Sequence, residues 1–260
     1  MPPTATLDRP SSPLNAAVRD GKAAPARAPC KCATCCVSTL CLPGGLSSDD
    51  LQPLESLALT TRRVRGGETV FQDGDPFRYL YALRSGTCKA TVARPNGGEQ
   101  VTGFHMAGEV LGLDGLACDV HGTTVTALED SEICLIPYRR LVAATAATPG
   151  AKDLMSHLMG QELLRDQSMM VMLSLTEAAS RLAAFLLNLS ERHASRGYSP
   201  REFWLRMSRA EIASFLGLTL ETVSRTLKSF QRRGFLRVDG RHVTITDIDG
   251  LRASYDLRIR

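Results

Sequence analysis

The sequence predicts an α+β fold in which an all-β half precedes a long helix and a small unit of helices with a β hairpin. Glycine turns divide residues 66–122 into short apolar segments, at a roughly 8–12-residue spacing that is typical of a β barrel or roll. The glycines thin out after Pro137, where helical periodicity begins. The last quarter then combines helix-start, glycine-turn and hairpin signals.

The first 29 residues hold 6 of the chain's 13 prolines and are rich in Ala and Ser. This composition predicts a disordered tail over residues 1–29. Residues 30–48 are predicted to form a cysteine-containing loop that ends after the turn Pro43-Gly44-Gly45. A short helix is predicted over residues 49–62 from its spaced leucines, which are Leu51, Leu54, Leu57 and Leu59.

The β half is predicted to span residues 49–150. Tyr79–Leu83 and Thr87–Val92 flank the turn Arg84-Ser85-Gly86 and predict a hairpin. Thr123–Leu128 and Ile133–Ile136 predict later strands.

A long helix is predicted from Ala151 to Leu175, within a dimerisation segment 151–176. Five of its positions are spaced by 4, 3, 4 and 3 residues, which is the heptad spacing of paired helices, and they are Met159, Leu163, Asp166, Met170 and Leu173. We therefore expect a dimer seam with an aspartate at its centre. A second helix, Glu177–Arg192, opens a C-terminal domain of residues 177–260.

The C-terminal domain carries the signals of a winged helix-turn-helix. Ser208 and Glu211 have the spacing of a capping box, which starts a first helix through Phe215. Gly217 provides a turn, and a second helix is predicted over Leu220–Arg232. Two short strands joined by Asp239-Gly240 complete the wing.

The second of these helices is predicted to read DNA. The start of a recognition helix faces the major groove, where Arg pairs with guanine, Glu accepts from cytosine and Ser pairs flexibly. Val223, Leu227 and Phe230 are predicted to pack inward at helical spacing, which leaves a polar face outward. The candidate DNA-binding residues are Glu221, Ser224, Arg225, Lys228 and Arg232, of which Arg232 is expected to contact a phosphate. Residues 201–260 contain 12 Lys and Arg against 7 Asp and Glu, although the chain as a whole is only +4. An ordinary amphipathic helix with a solvated basic face is the alternative.

Composition excludes several classes of protein. No stretch reaches the roughly 18–20 apolar residues of a membrane span, and the N-terminus lacks the apolar core of a secretory signal, so a cytoplasmic location without membrane attachment is expected. We find no paired carboxylates, nucleophile triad or phosphate loop, and the protein is not expected to be an enzyme.

Clustered cysteines in a reducing compartment predict metal ligands or redox groups. Cys32, Cys35 and Cys41 follow a C-x2-C-x5-C pattern. Zinc, an iron–sulfur cluster and redox-active thiols all fit this pattern. A cluster usually needs a fourth cysteine, and spacing alone does not choose among the other five, which are Cys30, Cys36, Cys88, Cys118 and Cys134.

From about Cys32 to Ile245 the chain resembles the FNR (fumarate and nitrate reduction) regulators of the cyclic-AMP receptor protein (CRP) superfamily. The motifs that carry the resemblance are Leu80–Gly86, Gly103–Glu109, Arg181–Phe185, Gly197–Phe203 and Leu216–Arg225. The resemblance implies a β-roll like a cyclic-nucleotide-binding jelly roll as the sensor domain, a dimerisation helix and a winged helix-turn-helix. It also implies a homodimer that binds double-stranded DNA at a TTGAT-N4-ATCAA type palindrome and contacts RNA polymerase.

The same resemblance implies a [4Fe–4S] cluster held by Cys32, Cys35, Cys41 and Cys134. Oxygen would convert it to [2Fe–2S] and then to apoprotein, with loss of binding to anaerobic or microaerobic promoters. The remaining cysteines, Cys30, Cys36, Cys88 and Cys118, fall outside the matched pattern.

Asp166 matches an acidic position of the family's dimer interface. Two carboxylates facing each other in an apolar seam are unfavourable, so a cluster that reshapes or shields the seam would favour the dimer. Alternatively, Asp166 turns outward and is merely tolerated. The segment 118–124 after Gly108-Glu109 lacks the arginine that holds the phosphate of a cyclic nucleotide in this superfamily, so no cyclic nucleotide is expected. The rival hypotheses are a zinc- or thiol-based regulator without oxygen sensing and an electron-transfer iron–sulfur protein.

Overall fold

The computed structural model describes residues 28–29, 32, 35–37, 40–41, 57, 59–95, 97–148 and 153–256. Their architecture is α+β, as predicted. The strands of the first half are β1 (Ala28–Pro29), β2 (Thr60–Val64), β3 (Thr69–Phe71), β4 (Tyr79–Ser85), β5 (Thr87–Ala93), β6 (Glu99–Met106), β7 (Val110–Leu111), β8 (Thr124–Ala127) and β9 (Ser131–Pro137).

These strands form two sheets, with the orders β1-β2-β9-β4-β7 and β3-β8-β5-β6. The first sheet has apolar side chains on both faces, because successive residues of a strand point to opposite sides. Ile133 and Leu135 of β9 pack into the core between the sheets. Cys134 and Ile136 belong to a second apolar cluster on the opposite face. This alternation decides where the Cys134 thiol lies.

The helices are α1 (Tyr138–Ala147), α2 (Leu154–Ser174), α3 (Ala178–Ala194), α4 (Arg209–Leu216), α5 (Leu220–Arg232) and α6 (Ile248–Asp256). The long helix and the three helices that follow it were predicted within a few residues. Helices α1 and α6 were not predicted, although the alanine-rich end of α1 favours a helix.

The C-terminal half contains a third sheet, β10 (Glu202–Trp204), β11 (Leu236–Asp239) and β12 (His242–Ile245), in the order β10-β12-β11. The predicted wing hairpin is therefore present, with β10 as an additional strand that was not predicted. Phe104 of β6 packs against Phe185 of α3 and Phe215 of α4, with ring centroids 6.0 and 5.1 Å away. The C-terminal half is thus seated on the edge strand of the second sheet.

The predicted hairpin of Tyr79–Leu83 with Thr87–Val92 is wrong. β4 pairs with β7 and β9, whereas β5 pairs with β6 and β8, so the two strands lie in different sheets. Gly86 between them has φ +93°, and a Cβ there would collide with Ser131. The glycine passes the chain from one sheet to the other instead of reversing it within one sheet.

The helix predicted over 49–62 is wrong at its end, because Thr60–Val64 is strand β2. Leu57 and Leu59 are buried, but they pack in the apolar cluster on one face of the first sheet, and their spacing does not indicate a helix. Positions 49–56 and 58 lie outside the described residues. So does the predicted tail, except that Ala28–Pro29 forms β1, which pairs with Thr60 and Thr61.

Candidate DNA-reading surface and cysteine site

The helix-turn-helix is built from α4, a turn and α5. Ser208 caps α4, since its hydroxyl accepts from the Glu211 amide at 3.2 Å while the Glu211 carboxylate accepts from the Ser208 amide at 2.7 Å. Gly217 ends α4 in the left-handed conformation, with φ 63°. Thr219 caps α5 by accepting from the Thr222 amide at 3.1 Å.

The two faces of α5 separate as the sequence predicts. Val223, Leu227 and Phe230 are buried against the core of the C-terminal half. The candidate DNA-binding residues are exposed, apart from the half-buried Ser224, and they are Glu221, Ser224, Arg225, Lys228 and Arg232. Arg225 and Glu221 form an ion pair at 3.7 Å across one helical turn. The helix therefore presents a polar, basic face to solvent.

The helix-turn-helix is also tied to the β half. The Lys89 Nζ atom of β5 lies 2.8 Å from a Glu211 carboxylate oxygen. The Ser214 hydroxyl of α4 accepts from the Val101 amide of β6 at 3.0 Å. Sequence reasoning missed these contacts because they join residues more than 100 positions apart.

Ser208→Ala is expected to lower the free energy of unfolding by about 1 kcal/mol, because the amide of Glu211 loses its acceptor. Chemical denaturation of the full chain measures the effect. Ser156→Ala, at an exposed position of α2, is the matched control and should change little. Equal stability of Ser208→Ala and wild type would contradict a working capping box.

Three of the four predicted iron–sulfur ligands belong to or pack against one apolar cluster. Cys32 and Cys134 are both buried in the apolar cluster on the outer face of the first sheet, and Cys41 packs against it. Leu154 and Leu158, from the start of α2, belong to the same cluster. The cysteine loop thus meets both the last strand of the roll and the beginning of the long helix.

Two backbone hydrogen bonds join described residues of the loop. The Cys35 amide donates to the Cys32 carbonyl at 3.1 Å, and the Cys41 amide donates to the Val37 carbonyl at 2.9 Å. Cys35 is half-buried, whereas Cys36 is exposed. Among the described residues, no three His, Cys, Asp or Glu side chains are grouped as a formed metal site.

Cys88 differs from these thiols. Its side chain is buried between the two sheets, and burial, reinforced by the Glu129 charge, raises its pKa to about 12. A thiol in this setting stays protonated and packs as an apolar group. Cys118 is exposed and does not belong to the apolar cluster that contains Cys32 and Cys134.

The predicted seam of α2 is a largely apolar, solvent-exposed face. Met159, Leu163 and Met170 have 55%, 58% and 67% of their surface exposed, and Asp166 is exposed among them. Leu173 is half-buried. A single chain seldom leaves such a continuous apolar stripe in water, so the stripe indicates a contact with another molecule.

In the segment 118–124, the backbone is held by a carboxylate. One Asp114 oxygen accepts from the amides of Gly122 and Thr123 at 2.9 and 3.0 Å and from the Thr123 hydroxyl at 2.9 Å. The other oxygen contacts the His121 ring at 3.3 Å. Amides that would otherwise be available to a phosphate are thus engaged by a negative group.

These features define a class of protein, the transcription regulators that join a cyclic-nucleotide-binding-type β-roll to a Crp-like helix-turn-helix. Family models match both halves: "Cyclic nucleotide-binding domain" over residues 61–147 and "Crp-like helix-turn-helix domain" over residues 180–254. The chain belongs to the fumarate and nitrate reduction (FNR) regulator family of the CRP/FNR superfamily. It is 42% identical over 220 residues to the Fumarate and nitrate reduction regulatory protein of Escherichia coli K12, covering 85% of this chain and 88% of that one.

The Salmonella typhi protein of the same name is 42% identical over 222 residues, or 85% of this chain and 89% of that one. Among solved structures, FixK2 from Bradyrhizobium japonicum is similar with a TM-score of 0.69 and 27% identity, over 75% of this chain and 96% of that one. A CRP/FNR-family regulator from Thermus thermophilus has a TM-score of 0.60 at 19% identity, over 75% of this chain and 98% of that one, and shows the fold alone. Among the described residues, none of the helices has the length and apolarity of a membrane span.

Proposed function

We propose that the protein is an oxygen-sensing transcription regulator in which a [4Fe–4S] cluster favours a DNA-binding dimer. The observation that carries the proposal is the apolar cluster that contains Cys32 and Cys134 together with Leu154 and Leu158. It joins the cysteine loop to the first turns of α2, the helix whose later turns expose the seam. A change in the loop can therefore act on the dimer helix through direct packing.

The residues present fit an iron–sulfur cluster. Cys32, Cys35, Cys41 and Cys134 would supply four thiolates, the usual ligand set, in a partly apolar setting. When bound, the cluster would supply the reactivity towards oxygen. The chain's own residues have the other roles. The thiolates would bind the iron–sulfur cluster, and Leu154 and Leu158 would exclude water on one side. Helix α2 would transmit a change in the loop to the dimer seam.

The exposed stripe of α2 supports the dimer. In a parallel pair of helices, the five seam residues of one chain would meet those of a second copy. A two-fold dimer presents two recognition helices, which suits a palindrome with half-sites about one helical turn apart. Such a dimer would act in the cytoplasm, bind a TTGAT-N4-ATCAA type site and contact RNA polymerase.

A cyclic nucleotide is not part of this proposal. Asp114 engages the amides of Gly122 and Thr123, and its negative charge opposes a bound phosphate. The stretch from Cys118 to Thr124 also contains no arginine.

The deciding experiment compares anaerobically purified protein with the same sample after exposure to air. Iron and sulfide analysis should give about four irons per chain before exposure, and both the visible absorbance and the affinity for a palindromic site should fall in air. A colourless protein that contains zinc and binds DNA equally in both gases would overturn the oxygen switch. It would support the zinc-based regulator instead.

Arg225→Ala is expected to weaken binding to the palindrome by about 1–3 kcal/mol and to relax base preference at one half-site position, because a bidentate contact with guanine is lost. Selection of binding sites from random DNA measures the preference. Arg232→Ala is the matched control, since the loss of a phosphate contact should weaken binding to all DNA sequences alike. An unchanged base preference in Arg225→Ala would contradict the assignment.

A further inference from the structure

Glu109 is a buried carboxylate at the point where three parts of the molecule meet. It follows Gly108 in the turn between β6 and β7, and only 7% of its surface is exposed. The Nη2 atom of Arg192, in the last turn of α3, lies 2.9 and 3.0 Å from its two oxygens. Arg196, just beyond the end of α3, also pairs with Glu109. A group of the β-roll is thus held by two arginines of the DNA-binding half.

The same arginines bind the backbone of the segment that leads to Glu109. Arg192 donates to the Phe104 carbonyl at 2.7 Å, and Arg196 donates to the Ala107 carbonyl at 2.7 Å. Several charge-assisted hydrogen bonds converge on one short segment, and each is stronger than a neutral one. The segment 104–109 and the end of α3 are therefore held as one unit.

The charges around Glu109 keep its carboxyl group ionised. Burial by itself raises the pKa of this carboxyl, but the positive charges of Arg192, Arg165 and Arg196, with a contribution from His105, outweigh burial and hold the pKa at about 2. His105 is neutral near pH 7, because burial lowers its pKa to about 4.

On its other side, the turn supports the cysteine loop. Gly108 has φ +89°, and a Cβ there would fall against the Cβ of Leu40 at 2.5 Å. Leu40 is the residue before Cys41, one of the proposed cluster ligands. Contacts therefore run without a break from the cysteine loop, through Gly108 and Glu109, to Arg192 and Arg196.

We propose that Glu109 is a positioning residue that couples the cysteine loop to the DNA-binding half within a single subunit. This coupling depends on the proposed function in one respect only, namely that the cysteine loop carries an iron–sulfur cluster. When the loop is ordered around its ligand, Leu40 packs against the turn at Gly108 and Glu109. This turn binds the end of α3 through Arg192 and Arg196, and the helix-turn-helix packs on α3. When the loop is not ordered, these contacts are weakened. The coupling acts in addition to dimer formation, since its contacts lie in one chain.

The test uses the full-length protein and its single tryptophan. Trp204, with 56% of its surface exposed, lines an open cleft of about 620 Å³ between the two halves, which Leu40, Ala107 and Arg196 also line. Quenching of Trp204 fluorescence by acrylamide reports how closely the halves are held together. Iron content, sedimentation and affinity for the palindrome are measured on the same samples, and variants are compared at equal iron content.

Glu109→Gln is expected to keep its iron and its dimer, to bind the palindrome at least about tenfold more weakly, and to make Trp204 more accessible to acrylamide. Leu40→Ala should shift both readouts in the same direction, and the double variant should show less than the sum of the two effects. Glu68→Gln, in an exposed carboxylate of the β-roll, is the matched control and should match wild type. Arg192→Lys, which keeps the charge but not the two-pronged contact, replaces Glu109→Gln if that variant does not fold.

Wild-type affinity and quenching in Glu109→Gln, or full additivity with Leu40→Ala, would overturn the coupling. The proposed function fails separately. If the protein carries no iron but Glu109→Gln still exposes Trp204 and weakens DNA binding, the oxygen switch is wrong and the hold of Glu109 on the DNA-binding half stands.

Discussion

Cys134→Ser is expected to abolish cluster binding and, with it, the high DNA affinity of protein prepared without oxygen. Cys134 is the proposed ligand that comes from the roll and not from the loop, and it lies buried in the same apolar cluster as Cys32. Serine is a poor substitute for a thiolate ligand of iron, so three cysteines of a loop would remain to hold the cluster. Iron should fall from about four per chain to background, and DNA affinity to that of air-exposed wild type.

Cys118→Ser is the control for this variant, because Cys118 is exposed and lies outside the apolar cluster that contains Cys32 and Cys134. It should keep the iron content, the absorbance and the response to air of the wild type. Thermal unfolding of both variants separates loss of the ligand from loss of the fold. Full iron content in a folded Cys134→Ser variant would show that another group supplies the fourth ligand.

Asp166→Ala is expected to give a dimer in air. In the proposed dimer, the two Asp166 carboxylates leave water for a seam formed by Leu163 and Met170, and each buried charge without a partner costs on the order of a few kcal/mol. Alanine removes this cost, so the dissociation constant of the air-exposed dimer should fall by on the order of a hundredfold. Sedimentation in air measures the change, and the variant should also bind the palindrome in air.

Asp153→Ala is the matched control, since Asp153 is an exposed aspartate that precedes α2 and lies outside the seam. It should remain as sensitive to oxygen as wild type. A monomeric Asp166→Ala protein in air would mean that the aspartate points away from the seam and is merely tolerated there.

The sequence was sufficient for features that are local in the chain. The capping box at Ser208 and Glu211, the left-handed glycine at 217 and the hairpin turn at Asp239-Gly240 depend on a few neighbouring residues, and the structure has all three. The inward and outward faces of α5 followed from helical periodicity, because its burial depends on a 3.6-residue repeat that the sequence displays. The exposed residues proposed to read DNA were found in this way.

Only the tertiary structure decided how distant segments meet. Period-two alternation predicted strands at Tyr79–Leu83 and Thr87–Val92, but it contains no information about which sheet each strand joins, so the hairpin was predicted wrongly. Cys134 shares an apolar cluster with Cys32 because of the face of β9 on which its side chain lies, and the strand pattern alone does not show what covers that face.

The contacts of Glu109 are a second example of what the sequence leaves open. Its partners Arg192 and Arg196 lie more than 80 residues away, and a glycine-glutamate pair in sequence gives no sign of them. Contacts of this kind arise only when packing brings separate elements together, and that packing is set by the whole chain and not by any local pattern.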